Sequence, residues 1–194
     1  ILTTTERENI RLKSYIGKKG YTIPKFELPK GEEEFLKKEL FVKPFVPGAQ
    51  FGNPNDQSAA FPVYRENNNK IYLPRFYGIQ RYGVPDRCDI EEGDDINVPF
   101  ELSLRDYQVK IVDIYCNYVS KPLSKDNAQS GGGGILEVPC GRGKTIMALN
   151  IISKLKKKTL ILVHKEFLMN QWIERMNDFL PTARIGKIQG PVFD

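Results

Sequence analysis

Residues 139–145 read Pro-Cys-Gly-Arg-Gly-Lys-Thr and follow the short apolar run Ile135-Leu136-Glu137-Val138. Those residue types suit phosphate binding. Gly141 and Gly143 allow the tight backbone path that turns successive N–H groups toward an anion. Lys144 has the reach and charge for β- and γ-phosphate oxygens, and the hydroxyl of Thr145 suits a Mg²⁺ ion. A helix starting near Thr145 would direct its positive end at the same oxygens. Nothing at Cys140 requires thiol chemistry. The chemistry expected here is capture of a nucleoside triphosphate with Mg²⁺.

The loop needs a strand before it and a helix after it, and the sequence supplies both. Residues 135–138 read as a strand and 145–156 as a helix. Thr159-Leu-Ile-Leu-Val163 is a continuous apolar run of the kind buried in parallel sheets. Phe167–Phe179 reads as a further helix and Arg184–Gln189 as a third strand. Upstream, Arg105–Val119 reads as an amphipathic helix with Tyr107, Ile111, Ile114, Tyr115 and Tyr118 near helical spacing. Residues 120–134, ending in four glycines, read as a slack loop. The order β-loop-α-β-α-β begins a doubly wound parallel sheet.

Residues 1–100 read as a separate, mostly β or irregular unit. Arg7–Tyr15 suits a short helix, and Gly31–Leu40 a better one, with Phe35, Leu36 and Leu40 as its buried stripe. Pro44 and Pro47 block its continuation. Phe61–Arg65 and Lys70–Phe76 flank Asn67-Asn68-Asn69 and read as a hairpin. Residues 74–82 interleave arginine with aromatics. They fit a base-stacking surface or a small β core with snorkelling arginines, and the second is preferred. The acidic stretch Asp86–Asp95 reads as a boundary loop.

Composition limits the function classes. A hydrophobic fraction of 40% and a charged fraction of 27% are those of a globular chain. No apolar run nears the roughly 20 residues of a membrane-spanning helix, and the start lacks a signal-peptide pattern. Cys88, Cys116 and Cys140 form no metal spacing or disulfide framework, so an intracellular, reducing compartment is expected. His164 is the only histidine, so neither a zinc site nor a Ser-His-Asp triad is expected. Residues 1–100 balance 15 basic against 15 acidic side chains, whereas 101–194 carry 14 against 9. The surplus in the loop-bearing half suits a polyanionic partner or a solvated basic face.

The loop is compact, with Val138 where a broader form has glycine. It resembles motif I of superfamily 2 helicases. Its Pro-Cys-Gly-x-Gly-Lys form is most similar to XPB-type helicases of repair and transcription and to helicases of large DNA viruses and phages. Leu104-Arg105-Asp106-Tyr107-Gln108 resembles the Leu-Arg-x-Tyr-Gln segment of that family, whose glutamine reads adenine. A carboxamide can offer both a donor and an acceptor to N6 and N7, or it can cap its own helix. Leu160–Trp172 resembles motif Ia, with Leu168 and Gln171 at the matching spacing, and Trp172 reads as core. Arg184–Gly190 resembles the segment that follows.

The resemblance implies a partial RecA-like P-loop domain over 101–194, an α/β parallel sheet with flanking helices. A small β-rich α+β accessory domain over 1–100, with a nucleic-acid-sensing role, would precede it. It implies ATP and Mg²⁺ as cofactors. Arg105, Gln108, Pro139, Cys140, Gly141, Arg142, Gly143, Lys144 and Thr145 would bind nucleotide, Thr145 holding the metal. Lys144 and Thr145 would be the catalytic members. His164, Lys165, Gln171 and Gly190 would approach DNA or RNA. Further implied partners are a second RecA-like domain and transcription or repair machinery; no membrane is implied.

Hydrolysis also needs carboxylates for Mg²⁺ and water, and arginines for the transition state. The family takes the carboxylates from an Asp-Glu-x-His-like motif II beyond the segment matching 184–190. Asp113, Glu137, Asp178 and Asp194 lie in no Asp-Glu pair at a strand end. With Ile rather than Met at position 1, the expectation is a piece of a longer motor that grips ATP without meaningful turnover. Two other classes stay open: a non-catalytic module binding nucleic acid through 61–82, and a small P-loop nucleotide-binding protein of kinase type.

Overall fold

The structure is a computed structural model that describes residues 2–43, 60–122 and 132–193. The chain divides into two compact units. One is built on Ile1–Glu91, the other on Glu92–Pro122 with Ser130–Asp194.

The first unit opens with α1 (Thr4–Lys13). Its start is a capping box: the Thr3 hydroxyl accepts the Glu6 N–H, and the Glu6 carboxylate accepts the Thr3 N–H at 2.7 Å. Then come β1 (Tyr15–Gly17), β2 (Gly20–Pro24), a 3₁₀ turn at Lys25–Glu27 and α2 (Glu32–Glu39), followed by β3 (Phe41–Val42) and β4 (Phe61–Pro62). After these run β5 (Arg65–Glu66), β6 (Lys70–Leu73), α3 (Arg75–Tyr82) and β7 (Arg87–Cys88). Five strands form one sheet in the order β5-β6-β2-β1-β7. Only the β1–β7 pair is parallel within it.

Strand alternation sets this unit's core. Ile16, Tyr21, Ile23, Ile71 and Leu73 share one sheet face with Ile10, Leu36, Leu40, Ile79 and Tyr82 of the helices. Gly78 lets α3 lie close to β2, because a Cβ there would stand 2.2 Å from Cγ of Tyr21. Burial pushes the Tyr21 hydroxyl up to about 12. Buried Glu32 accepts both Nε (2.7 Å) and Nη2 (2.9 Å) of Arg81, and the Tyr82 hydroxyl as well.

Several expectations are corrected here. The hairpin is shorter: Asn67 Oδ1 accepts the N–H groups of Asn69 and Lys70, but only 65–66 pairs with 70–73. Phe61-Pro62 pairs with β3 instead. Residues 75–82 are helical rather than extended, because Gly78, Ile79 and Tyr82 fall on one helical face and are buried together. Phe35 leaves the buried stripe of α2 and lies exposed beneath the Arg81 guanidinium, 4.2 Å from the ring centroid. Pro44 and Pro47 lie outside the described residues.

The second unit contains α4 (Asp106–Val119), α5 (Lys144–Leu155), α6 (Glu166–Phe179) and a hairpin of β8 (Ile188–Gln189) and β9 (Val192–Phe193). Val112, Met147 and Ile151 form its core, with Leu104, Ile111, Tyr115, Leu136 and Val138 packed on it. Val112 takes the place expected of Ile114, which is exposed. Part of the acidic stretch is not a free loop. Ile96 N–H donates to the Lys156 carbonyl, Lys158 N–H donates to that of Asp94, and Lys157 pairs with Asp95 at 2.8 Å.

The segments 135–138, 159–163 and 184–187 form no ladder among the described residues. Their burial nevertheless alternates with the period of a strand. Leu136 and Val138 face the core while Ile135 is 96% exposed, and Leu160 and Leu162 are 73% and 83% exposed. One face of each run is partly buried and the other is exposed. The third expected strand survives as Ile188-Gln189, turned into an antiparallel hairpin around Gly190.

An ion network joins the 3₁₀ turn, α2 and β5. Lys25 and Lys37 each meet both Glu33 and Glu66. Hydrogen bonds to Lys37 and Lys25 hold the Glu33 carboxyl below its ordinary value of 4.5, and those to Lys25 and Lys37 do the same for Glu66. A depressed carboxyl contributes stability above its unfolded pKa and loses it as pH falls through the folded value. The lysines are raised above 10.5, so their share persists below that value and is lost at still higher pH. Thermal melts should therefore drop as pH falls below about 4.5, and Glu33→Gln with Glu66→Gln should flatten that drop. An unchanged acid profile in the double variant would remove the network as its cause.

Candidate nucleotide-binding site

The glycine loop is held by its own unit before any ligand arrives. Gly141 and Gly143 take φ values of +76° and +80°, in the left-handed region that favours glycine. Gly143 caps the start of α5, and its carbonyl accepts the Met147 N–H at 3.0 Å. Between the two glycines the Arg142 carbonyl faces α4. It accepts the Tyr107 hydroxyl at 3.1 Å and Nε2 of Gln108 at 3.1 Å. Two donors on one carbonyl use both of its lone pairs.

Gln108 is only 7% exposed and works in two directions. Its Nε2 holds the loop, and its Oε1 accepts the Arg105 N–H at 3.0 Å, capping the first turn of α4. Of its four hydrogen-bonding positions, these two bonds leave one donor and one lone pair. The helix-capping role weighed in the sequence is thus present, together with a clamp on the loop. A Cβ on Gly143 would lie 2.6 Å from Gln108 Nε2, so glycine is what lets the amide close on the loop.

Lys144 is exposed at the first turn of α5, and its ammonium donates to the carbonyls of Val138 (3.0 Å) and Pro139 (3.2 Å). Its charge therefore stays beside the loop backbone. Thr145 follows, partly buried, while Pro139, Cys140 and Arg142 are exposed. The Arg142 guanidinium lies 5.9 Å from the Tyr107 ring centroid. Asp113 of α4 pairs with Lys154 of α5 at 2.6 Å, a further tie between the two helices that carry the clamp.

Tyr107 is the residue whose role the sequence did not reveal. Its spacing marks it as helix core, yet its hydroxyl is a loop ligand. The only signal was its place beside Gln108.

The remaining candidates are more scattered. His164 and Lys165 are exposed at the start of α6, where the Lys165 carbonyl accepts the Met169 N–H. Gln171 is exposed two turns on, and Trp172 is partly buried. Gly190 turns the β8–β9 hairpin with φ +55° and open space around it. No contact brings these four residues into one cluster. No group of three or more metal-ligating side chains occurs among the described residues.

The residues fit Mg²⁺-ATP. Positive-φ glycines shape the loop, a helix N-terminus lies behind it, and a lysine ammonium and a threonine hydroxyl stand at its rim. Gly141→Ala and Gly143→Ala separate two contributions. The first carries only the strain of a left-handed side chain, about 1–2 kcal/mol. The second adds displacement of Gln108 and should cost about 1 kcal/mol more. Chemical denaturation measures the difference, and equal losses would show that the amide does not bear on the loop.

Comparison with known proteins gives the same picture. Residues 101–191 match the family described as Type III restriction enzyme, res subunit. The chain is 32% identical over 183 residues to a mimivirus (Acanthamoeba polyphaga mimivirus) protein assigned as the ATP-dependent RNA helicase L396. That alignment covers 92% of this chain and 33% of the relative. The DNA 3'-5' translocase XPB2 of Sulfurisphaera tokodaii is 33% identical over 111 residues, 55% of this chain and 22% of its own length. A protein of Halobacterium salinarum assigned as the DNA 3'-5' helicase Rad25 is 32% identical over 111 residues, 56% of this chain and 16% of its own. The chain thus spans a third or less of these relatives. Residues 101–191 thus match the Type III restriction enzyme res-subunit family, and the chain is similar to XPB-type and large-virus helicases, the resemblance that its glycine loop implied.

Proposed function

We propose that these residues form the ATP-gripping part of a nucleic-acid helicase or translocase. The observation that carries the reading is the doubly accepted Arg142 carbonyl, through which Tyr107 and Gln108 hold the glycine loop over the start of α5. The loop N–H groups of Cys140, Gly141, Arg142 and Gly143 bind phosphate oxygens. Lys144, now bonded to the Val138 and Pro139 carbonyls, would hold β- and γ-phosphate oxygens, and Thr145 would supply a hydroxyl for Mg²⁺. Gln108 would present its remaining donor and lone pair to the adenine edge, with Arg105 and Pro139 assigned to the same nucleotide. When bound, Mg²⁺-ATP supplies the phosphoanhydride whose hydrolysis drives motion along a strand.

His164, Lys165, Gln171 and Gly190 are assigned to the DNA or RNA backbone. Their exposure and the basic surplus of residues 101–194 support this. We read 1–100 as an accessory domain and 101–194 as the first part of a RecA-like motor domain. The carboxylates of motif II, the transition-state arginines and a second RecA-like domain are assigned to the longer protein, which works inside the cell with transcription or repair machinery. The same assignment explains the open faces of Ile135, Leu160 and Leu162, since a doubly wound sheet is covered on both sides.

The 194-residue chain should bind a fluorescent ATP analogue in a Mg²⁺-dependent manner. Lys144→Ala should weaken that binding at least about tenfold, the loss of one charge-assisted phosphate contact. The chain should show no ATP turnover. Turnover abolished by Lys144→Ala would overturn the division of labour. Absence of ATP binding, with nucleic-acid binding intact in Lys144→Ala, would favour the non-catalytic module.

A further inference from the structure

The five-stranded sheet of the first unit has a second face, opposite the core. Its register aligns one row across all five strands. Arg65 pairs with Tyr72, Tyr72 with Thr22, Thr22 with Tyr15, and Tyr15 with Arg87. Cross-strand partners share a face, so these five side chains project together. Two tyrosines thus flank a threonine in mid-sheet, and an arginine stands at each edge. Lys70, two residues from Tyr72 on β6, belongs to the same face, and Lys19 comes from the β1–β2 turn.

The contacts match that placement. The Lys19 ammonium lies 4.9 Å from the Tyr72 ring centroid, the Lys70 ammonium 5.2 Å from that of Tyr15, and the Arg87 guanidinium 4.7 Å from the same Tyr15 ring. The Tyr15 ring lies down over Gly17, where a Cβ would meet its Cε2 at 3.2 Å. Tyr15, Tyr72 and Lys70 are partly exposed, Lys19, Arg65 and Arg87 are exposed, and Thr22 in the middle of the row is buried. Only Arg87 has an acidic partner, Asp89, among the described residues. Glu66 alternates to the other face and is tied to Lys25 and Lys37.

We propose that this face binds a single-stranded polynucleotide, with bases stacked on Tyr15 and Tyr72 and phosphates held by Lys19, Arg65, Lys70 and Arg87. Aromatic platforms interleaved with cations suit that ligand, because every base has a π-face and every linkage a charge. Geometry selects the single strand. The tyrosines sit two strands apart, about 10 Å, whereas neighbouring bases in a duplex are about 3.4 Å apart. Only an unstacked strand can lay separate bases on both rings. The cations now over the rings are on long side chains that a base can displace toward its own phosphates. This site lies in the unit without the phosphate loop and requires no ATP.

The test uses the whole 194-residue chain, without nucleotide, and a fluorescein-labelled twelve-residue oligothymidylate read by anisotropy. Tyr15→Ala and Tyr72→Ala should each weaken binding about fivefold or more, and Tyr→Phe at either place should keep it within about twofold. Lys19→Ala and Arg65→Ala should each lower the slope of log K against log salt by about 0.7. Lys144→Ala and Lys165→Ala should leave the tyrosine effects in place. A twelve-base-pair duplex should bind at least about tenfold more weakly. Photocrosslinking of an iodouracil-substituted strand to the unmodified chain, mapped by mass spectrometry, should mark Tyr15 or Tyr72. Any of three results overturns the proposal: Ala variants that bind as the parent does, Phe variants as weak as Ala, or crosslinks confined to 101–194. None of these bears on ATP binding, so the two readings fail separately.

Discussion

One backbone carbonyl organises the glycine loop before α5. The Arg142 C=O accepts from Tyr107 and Gln108, and through them the start of α4 holds the two left-handed glycines in register over α5. Glycine loops are flexible by nature, and binding an anion with one requires its backbone to be ordered. The clamp provides much of that order before the ligand arrives. Gly143 makes it possible because it has no Cβ to push the amide away. Below the clamp, α4 and α5 pack through Val112, Met147 and Ile151, and Lys154 pairs with Asp113.

The same economy of faces appears in the first unit. Strand alternation sends Ile16, Tyr21, Ile23, Ile71 and Leu73 to the helices and leaves Tyr15, Thr22 and Tyr72 on the other side. The core face is tied by Glu32 with Arg81 and Tyr82, and by Arg11, which reaches Glu8, Asp86 and the Val84 carbonyl. The outer face carries cations over its rings. A one-residue slip of register would exchange the two sets, so the hydrophobic core also fixes which aromatics face outward.

In the second unit the apolar runs behave as half-covered strands. Leu136 and Val138 pack inward, while Ile135, Leu160 and Leu162 point outward. Leu136 and Val138 meet α4 and α5 through Val112, Met147 and Ile151, and the aligned segments make up a third or less of the relatives' lengths. The charged segment 92–96 lies along the end of α5, where Lys156 takes a positive φ as the helix stops. That φ is the cost of turning the chain to meet Asp94 and Asp95.

Much was legible in the residues alone. The left-handed glycine loop, the three helices near it and the resemblance to helicases were readable because glycine spacing, Lys-Thr chemistry and helical periodicity are local properties. The N-terminal helices α1 and α2 were readable for the same reason. What the residues could not reveal was decided by partners far away in sequence. Residues 75–82 became a helix because Gly78 and Tyr82 close on Tyr21. Phe35 turned outward beneath Arg81, and Ile114 yielded the core to Val112. Tyr107 and Gln108 acquired a common acceptor 35 and 34 residues away. Local composition determined which groups could bind phosphate, and tertiary packing decided which of them were held in place, because a hydrogen bond or a buried face exists only where a second segment supplies its other half.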